Sequence, residues 1–279
     1  MKFGVLMFPT DYAIDPVTLG RAAEDRGFES LFFPEHTHIP TNRESPYPGG
    51  GDLPLEYSHT LDPFVAFGAI AATTERIKLA TGIALVIERD PIMLAKEVAT
   101  LDRLSNGRVM LGVGGGWNRE EMRDHGTEPT NRWLLLRERI EAMQALWTQE
   151  EAEYHGKLVD FGPTWQWPKP VQQPHPPIIV GGNGTNTLKR VVRYGDEWMP
   201  IAGRGNALSR IPELQELAAE AGRDPIPVSF FGAPANAEAI DELAEAGVHR
   251  AVLSLPPASE EQVIPLLDHY ASFIEEYTD

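Results

Sequence analysis

The feature that most constrains the fold is an alternation. Short apolar, strand-like runs take turns with amphipathic, helix-like stretches along the chain and never group into blocks. Such alternation means parallel strands joined by crossover helices, because parallel neighbours cannot be linked by a tight hairpin. Strands are expected at Phe3–Phe8, Ser30–Phe33, Ile77–Leu85, Arg108–Val113, Pro177–Val180, Glu197–Pro200, Pro227–Phe231 and Arg250–Leu255. Helices are expected near 15–26, 61–74, 91–104, 131–148, 184–194, 206–222, 236–246 and 259–276. Eight such units in 279 residues, read as one domain over 1–279, fit a (β/α)8 TIM barrel. An open doubly wound sheet usually uses about five or six strands.

Two helices illustrate the pattern. In the last, Val263, Leu266, Leu267, Tyr270, Phe273 and Ile274 form one apolar stripe, as on a helix packed outside a barrel. The third has Asp90 where an N-cap belongs, Pro91 in its first turn and Ser105-Asn106-Gly107 as a C-cap sequence. Two long connections, near 34–60 and 149–176, are rich in Pro and Gly and read as long loops after the second and fourth strands. Loops that follow barrel strands lie on the C-terminal face, where active sites are built, so the first is expected to act as a lid.

The chain contains no cysteine, so disulfides, thiolate metal sites and cysteine nucleophiles are excluded, and redox work needs a borrowed cofactor. A formal charge of −17 with no basic stripe disfavours nucleic acid and anionic membrane as partners and leaves a small-molecule substrate. The opening MKFGVLMFPT has a six-residue apolar run that ends at Pro9, too short for a signal sequence, and no stretch approaches the roughly 20 apolar residues of a membrane span. A soluble, cytoplasmic protein is expected.

Four motifs follow strands. Glu35-His36 comes directly after the second, where an imidazole that titrates near neutrality suits proton transfer. His36-Thr37-His38 also has the spacing of a two-histidine metal site. A metal hydrolase barrel would need further His ligands after strands five and six and an Asp after strand eight, where this chain has Val180-Gly181-Gly182, Met199-Pro200-Ile201 and Leu253-Ser254-Leu255, so no metal is expected. The run from Leu111 to Asn118 leaves strand four through glycines that let backbone approach a ligand ring, which makes Gly114, Gly116 and Asn118 candidate cofactor contacts; it is not the dinucleotide GxGxxG. Gly181-Gly182-Asn183-Gly184-Thr185 turns into a helix whose free N–H groups suit a phosphate, and Ala202-Gly203-Arg204 could add a guanidinium there. Trp117 and Trp198 could stack on a ring or fill core, and Trp133 reads as core.

The stretch ATGIALVIERDPIMLAKEVATLDRLSNGRVMLGVGGGWNREEM, from Ala80 to Met122, resembles the signature of luciferase-like flavin and deazaflavin oxidoreductases. The likeness continues through Pro168-Lys169-Pro170, Pro176 to Gly182 and Tyr194 to Pro200. It implies a ring lying across the barrel mouth against a kink at Gly82-Ile83, with a cis peptide between those residues, and a cofactor phosphate at Gly181 to Thr185. Members that use coenzyme F420 place an acid-His pair where this chain has Glu35-His36 and a basic residue where it has Arg204. The resemblance thus implies hydride transfer between F420 and a small organic substrate, with His36 as acid or base, in a homodimer. FMN with oxygen, as in monooxygenases of the family, and a flavin-binding protein without catalysis are the other readings. Several members carry a carboxylate at the position of Trp117. Its absence argues against a sugar-phosphate dehydrogenase and leaves Glu120 or Glu121 open as the substitute.

Overall fold

A computed structural model describes residues 1–277. The first four barrel units comprise β1 (Lys2–Leu6), α1 (Pro16–Asp25), β2 (Ser30–Phe33), the one-turn α2 (Glu56–His59), α3 (Pro63–Ala71), β3 (Lys78–Thr81), α4 (Pro91–Leu104), β4 (Val109–Val113), the short α5 (Arg119–Asp124) and α6 (Arg132–Thr148). A hairpin of β5 (Ala152–His155) and β6 (Asp160–Thr164) follows. The last four units are β7 (Ile178–Gly181), α7 (Thr187–Tyr194), β8 (Glu197–Met199), α8 (Ile211–Glu220), β9 (Ser229–Ala233), α9 (Ala237–Glu245), β10 (Arg250–Ser254) and α10 (Glu260–Tyr277).

Eight parallel strands run in the order β8-β7-β4-β3-β2-β1-β10-β9. The ends of that sheet meet: Trp198 N donates to Pro227 O at 3.0 Å and Phe231 N to Pro200 O at 2.9 Å, closing the (β/α)8 barrel. Side chains alternate across each strand. Leu6, Phe32, Ala80, Met110, Ile179, Met199 and Val252 therefore fill the interior as one layer, while neighbours such as Val5, Leu31, Leu79 and Leu111 face the helices. At roughly 25 cal/mol per Å² of apolar surface this burial is the main stabilising term.

Local signals set the boundaries where they are strong. Asp90 accepts from Ile92 N and Met93 N, and Asn106 and Gly107 take left-handed backbone angles after α4, so that helix begins and ends where its caps require. Where tertiary structure overrides them the strands are shorter than expected. The third stops at Thr81 rather than Leu85, because the chain leaves the sheet at a cis Gly82–Ile83 peptide and winds into a 3-10 turn over Val86–Glu88. The first stops at Leu6, which frees Phe8 to reach the mouth.

One expectation about the loops is corrected. The 149–176 connection does not follow a strand: it links α6 to β7 and contains the β5–β6 hairpin. Gln172 within it bonds Val109 O, at the start of β4, so this segment lies at the N-terminal end of the barrel, opposite the mouth. After β4 the C-terminal face instead receives the segment that carries α5. Among the described residues no helix is long and apolar enough to cross a membrane.

Candidate active site

The barrel mouth holds a cavity of about 330 Å³, in the size range of small-molecule sites. Of the residues expected at a site, Glu35, His36, Gly82, Ile83, Gly114, Gly116, Gly181, Gly182 and Arg204 line it, brought together from the ends of β2, β3, β4, β7 and β8. Ile83 projects from the bulge after β3 between two glycines. A Cβ at Gly114 or Gly181 would come within 2.7 or 2.9 Å of its side chain, so only glycine lets those strand ends close around it. The outcome is a smooth, largely apolar floor suited to a flat ring.

His36 stands at the edge of this floor, with its side chain 7% exposed, and its Nδ1 lies 2.7 Å from Oε2 of Glu121, which is itself buried. Glu121 also accepts from Thr37 N at 3.2 Å, so one carboxylate fixes both the ring and the backbone after it. α5 delivers Glu121, and Asn118 starts that helix by accepting from Glu120 N and Glu121 N. Asn118 is therefore an N-cap and does not border the cavity.

Glu35 is committed elsewhere. One oxygen accepts from Leu85 N at 2.6 Å and the other from Arg89 Nε at 2.6 Å, which ties the bulge after β3 to the end of β2. Beside these two carboxylates sits Glu88, buried and with Oε2 unpartnered. Burial, reinforced by the charges of Glu121 and Glu35, pushes its carboxyl up to about 9, so it is protonated at neutral pH.

The long segment after β2 covers one side. Ser45 N donates to Glu120, and Arg119 N donates back to Ser45 Oγ, clasping this lid to α5. The clasp brings Tyr47 and Tyr57 edge-on to Trp117, with ring centres 6.2 and 6.1 Å away. Phe8, Pro48, Tyr57 and Trp117 make an apolar wall beside His36.

The turn after β7 is organised differently from the sequence expectation. Asn183 pins it to the loop after β8 by donating to Ile201 O and Arg204 O and accepting from Ile201 N. The guanidinium on the turn is that of Arg210, which donates to the carbonyls of Asn183, Gly184 and Thr185. Arg204 instead lines the cavity. Gly184, Thr185, Ala202 and Gly203 lie outside its wall. Asn186 forms no side-chain cap on α7, whose first N–H, that of Thr187, donates to Gly184 O at 2.9 Å. Trp133 is not core: it is 37% exposed and lines the cavity. Among the described residues no three His, Asp or Glu side chains converge as metal ligands.

A smooth apolar floor with a basic side chain on the rim fits a planar ring with an anionic tail. The family model described as luciferase-like monooxygenase matches residues 1–277. An uncharacterised protein of Mycobacterium tuberculosis is 44% identical over 277 residues, 98% of each chain. An F420-dependent glucose-6-phosphate dehydrogenase of Segniliparus rotundus is 30% identical over 210 residues, 73% of this chain and 58% of that one. An FMNH2-dependent dimethylsulfone monooxygenase of Pseudomonas putida is 32% identical over 157 residues, 55% and 42% of the two chains.

Proposed function

Since the chain belongs to the luciferase-like monooxygenase family, we propose that it is an oxidoreductase that holds coenzyme F420 across the barrel mouth and exchanges a hydride with a small neutral organic substrate. The observation that carries this reading is the His36–Glu121 pair at the cavity edge. A carboxylate at Nδ1 selects the tautomer with its proton there. That leaves Nε2 to take a proton from a substrate hydroxyl, or to return one to a carbonyl in the reverse direction. The coenzyme, when bound, supplies or accepts the hydride at its carbon five. The remaining residues position and exclude water. The floor around Ile83 supports the ring, Arg204 and the start of α7 face the phosphate, and the wall of Phe8, Tyr57 and Trp117 leaves an apolar space for the substrate. That wall suits a neutral carbonyl or alcohol better than a sugar phosphate. This reading has residues 1–279 act as a single cytoplasmic domain that pairs, as the resemblance implies, into a homodimer.

An FMN-dependent monooxygenase is the second reading, favoured by the similarity to an FMNH2-dependent relative. Fluorescence titration separates the two. F420 is expected to bind at least roughly tenfold tighter than FMN, and Arg204→Ala to weaken F420 by about tenfold, the loss of one charge-assisted contact. Tight FMN binding without F420 binding overturns the proposal. Tight F420 binding without turnover of any alcohol or carbonyl compound leaves a cofactor carrier rather than an enzyme.

A further inference from the structure

Around Trp133, on the rim next to the turn after β7, two guanidiniums gather without carboxylate partners. Arg190, on α7, lies 3.6 Å over the Trp133 ring, and Arg132, at the start of α6, lies 5.0 Å from its centre. The charge of Arg132 acts on Arg190. Neither has a carboxylate within salt-bridge distance among the described residues; Arg132 Nη1 donates to Pro129 O at 2.8 Å, and its Nε is buried without a partner. The chain has 41 acidic residues against 24 basic ones, so a protein counter-ion would be easy to supply here. Arg89, Arg210 and Arg250 pair with carboxylates, and the buried Arg108, which has none, is bound by four backbone carbonyls and a hydroxyl. Like charges held together cost free energy unless something neutralises them.

We infer that Trp133, Arg132 and Arg190 form a subsite for the carboxylates that coenzyme F420 carries beyond its phosphate. This rests on the F420 reading above and deepens it, since FMN ends at its phosphate and has nothing to place there. Guanidiniums suit the task because each presents a planar fork that matches a carboxylate bidentately, and stacking on an indole limits the freedom lost on binding. Trp133 lines the cavity, so a tail leaving the phosphate position at the turn after β7 reaches the arginines along one continuous rim.

The test is binding, read by fluorescence at equilibrium with three probes: F420 bearing several glutamates, its phospholactyl form bearing none, and FMN. The glutamylated form is expected to bind at least roughly tenfold tighter than the phospholactyl form at low salt, with the difference shrinking at high salt. Arg132→Gln with Arg190→Gln should erase the difference while leaving the phospholactyl form bound as before. Equal affinity of the two deazaflavins for the unaltered protein overturns the subsite and leaves the F420 reading standing. Binding of FMN with neither deazaflavin overturns that reading and the subsite with it. The comparison of probes needs no variant, so a misfolded double variant does not shelter the inference.

Discussion

The two ends of the barrel handle buried charge in opposite ways. At the N-terminal end Arg250 is 1% exposed and its guanidinium is bound by Glu29, at 2.8 and 3.0 Å, and by Glu197 and Ser229, both at 2.6 Å. These residues begin or precede β10, β2, β8 and β9, so one cation ties four strand starts together. Burial alone would raise the Glu29 carboxyl, but the hydrogen bond and charge of Arg250, with the charge of Lys78, hold it at about 2. At the mouth carboxylates outnumber cations around His36: Glu35 is paired with Arg89, but Glu88 Oε2 makes no hydrogen bond and has only His125, 3.9 Å away, as a counter-group, and its carboxyl is raised rather than depressed. Paired charge at the closed end serves the fold. In the proposed function the open end leaves His36 Nε2 available for proton transfer, because a group wholly committed to the protein has nothing left for a substrate.

Exchanging the two roles gives the sharpest tests. His36→Ala is expected to lower turnover by roughly 10² to 10⁴ with little change in melting temperature. A loss below about threefold, measured with an identified substrate, would break the assignment of His36 to proton transfer. Arg250→Ala should do the reverse. Removing one partner of a buried ion pair costs about 3–5 kcal/mol, read by denaturant unfolding, while turnover of the protein that remains folded is kept.

The pH dependence of stability distinguishes the ends as well. Glu29 has a folded value below its ordinary 4.5, so its stabilising contribution is present above that pH and is lost as pH falls towards 2. Glu88 has the opposite sign. Its folded value of about 9 means that the native protein keeps a proton the unfolded chain gives up above 4.5, so stability falls as pH rises between those values. Glu88→Gln should flatten that fall and leave the protein more stable than the wild type at pH 8. If the wild-type and variant stability curves run parallel from pH 5 to 8, Glu88 is ionised in the native state and the contrast between the ends is weaker than stated.

Much of this architecture was legible in the chain itself. The alternation of strands and helices fixed the barrel, since eight parallel strands with crossover helices have few other closed arrangements. Asp90, Pro91 and Asn106-Gly107 fixed α4 to the residue, because caps act within one turn. The placing of His36 at the mouth followed from its position directly after a strand. Glycines 114, 116, 181 and 182, each at or near a strand end, fell to the cavity by the same logic, while Gly82, inside the strand as read from the sequence, was marked only by the family resemblance. The β5–β6 hairpin was not legible: its strands are short, polar and interrupted by Pro163, and they carry no sustained apolar alternation.

Only the tertiary structure decided which groups meet. Glu121 lies 85 residues from His36 and sits on a six-residue helix too short to show a period, so no local signal marked it as the partner of that ring. Glu35 looked like half of an acid-base pair until Arg89 and Leu85 N took up both its oxygens. Trp133 sits on a helix with almost no sidedness, and only its approach to Gly115, Arg190 and the cavity shows it as wall rather than core. The physical reason is the same in each case. Periodicity and caps are set by neighbours within a turn or a strand, whereas hydrogen bonds, burial and the balance of charge depend on residues that closure of the barrel alone brings into contact.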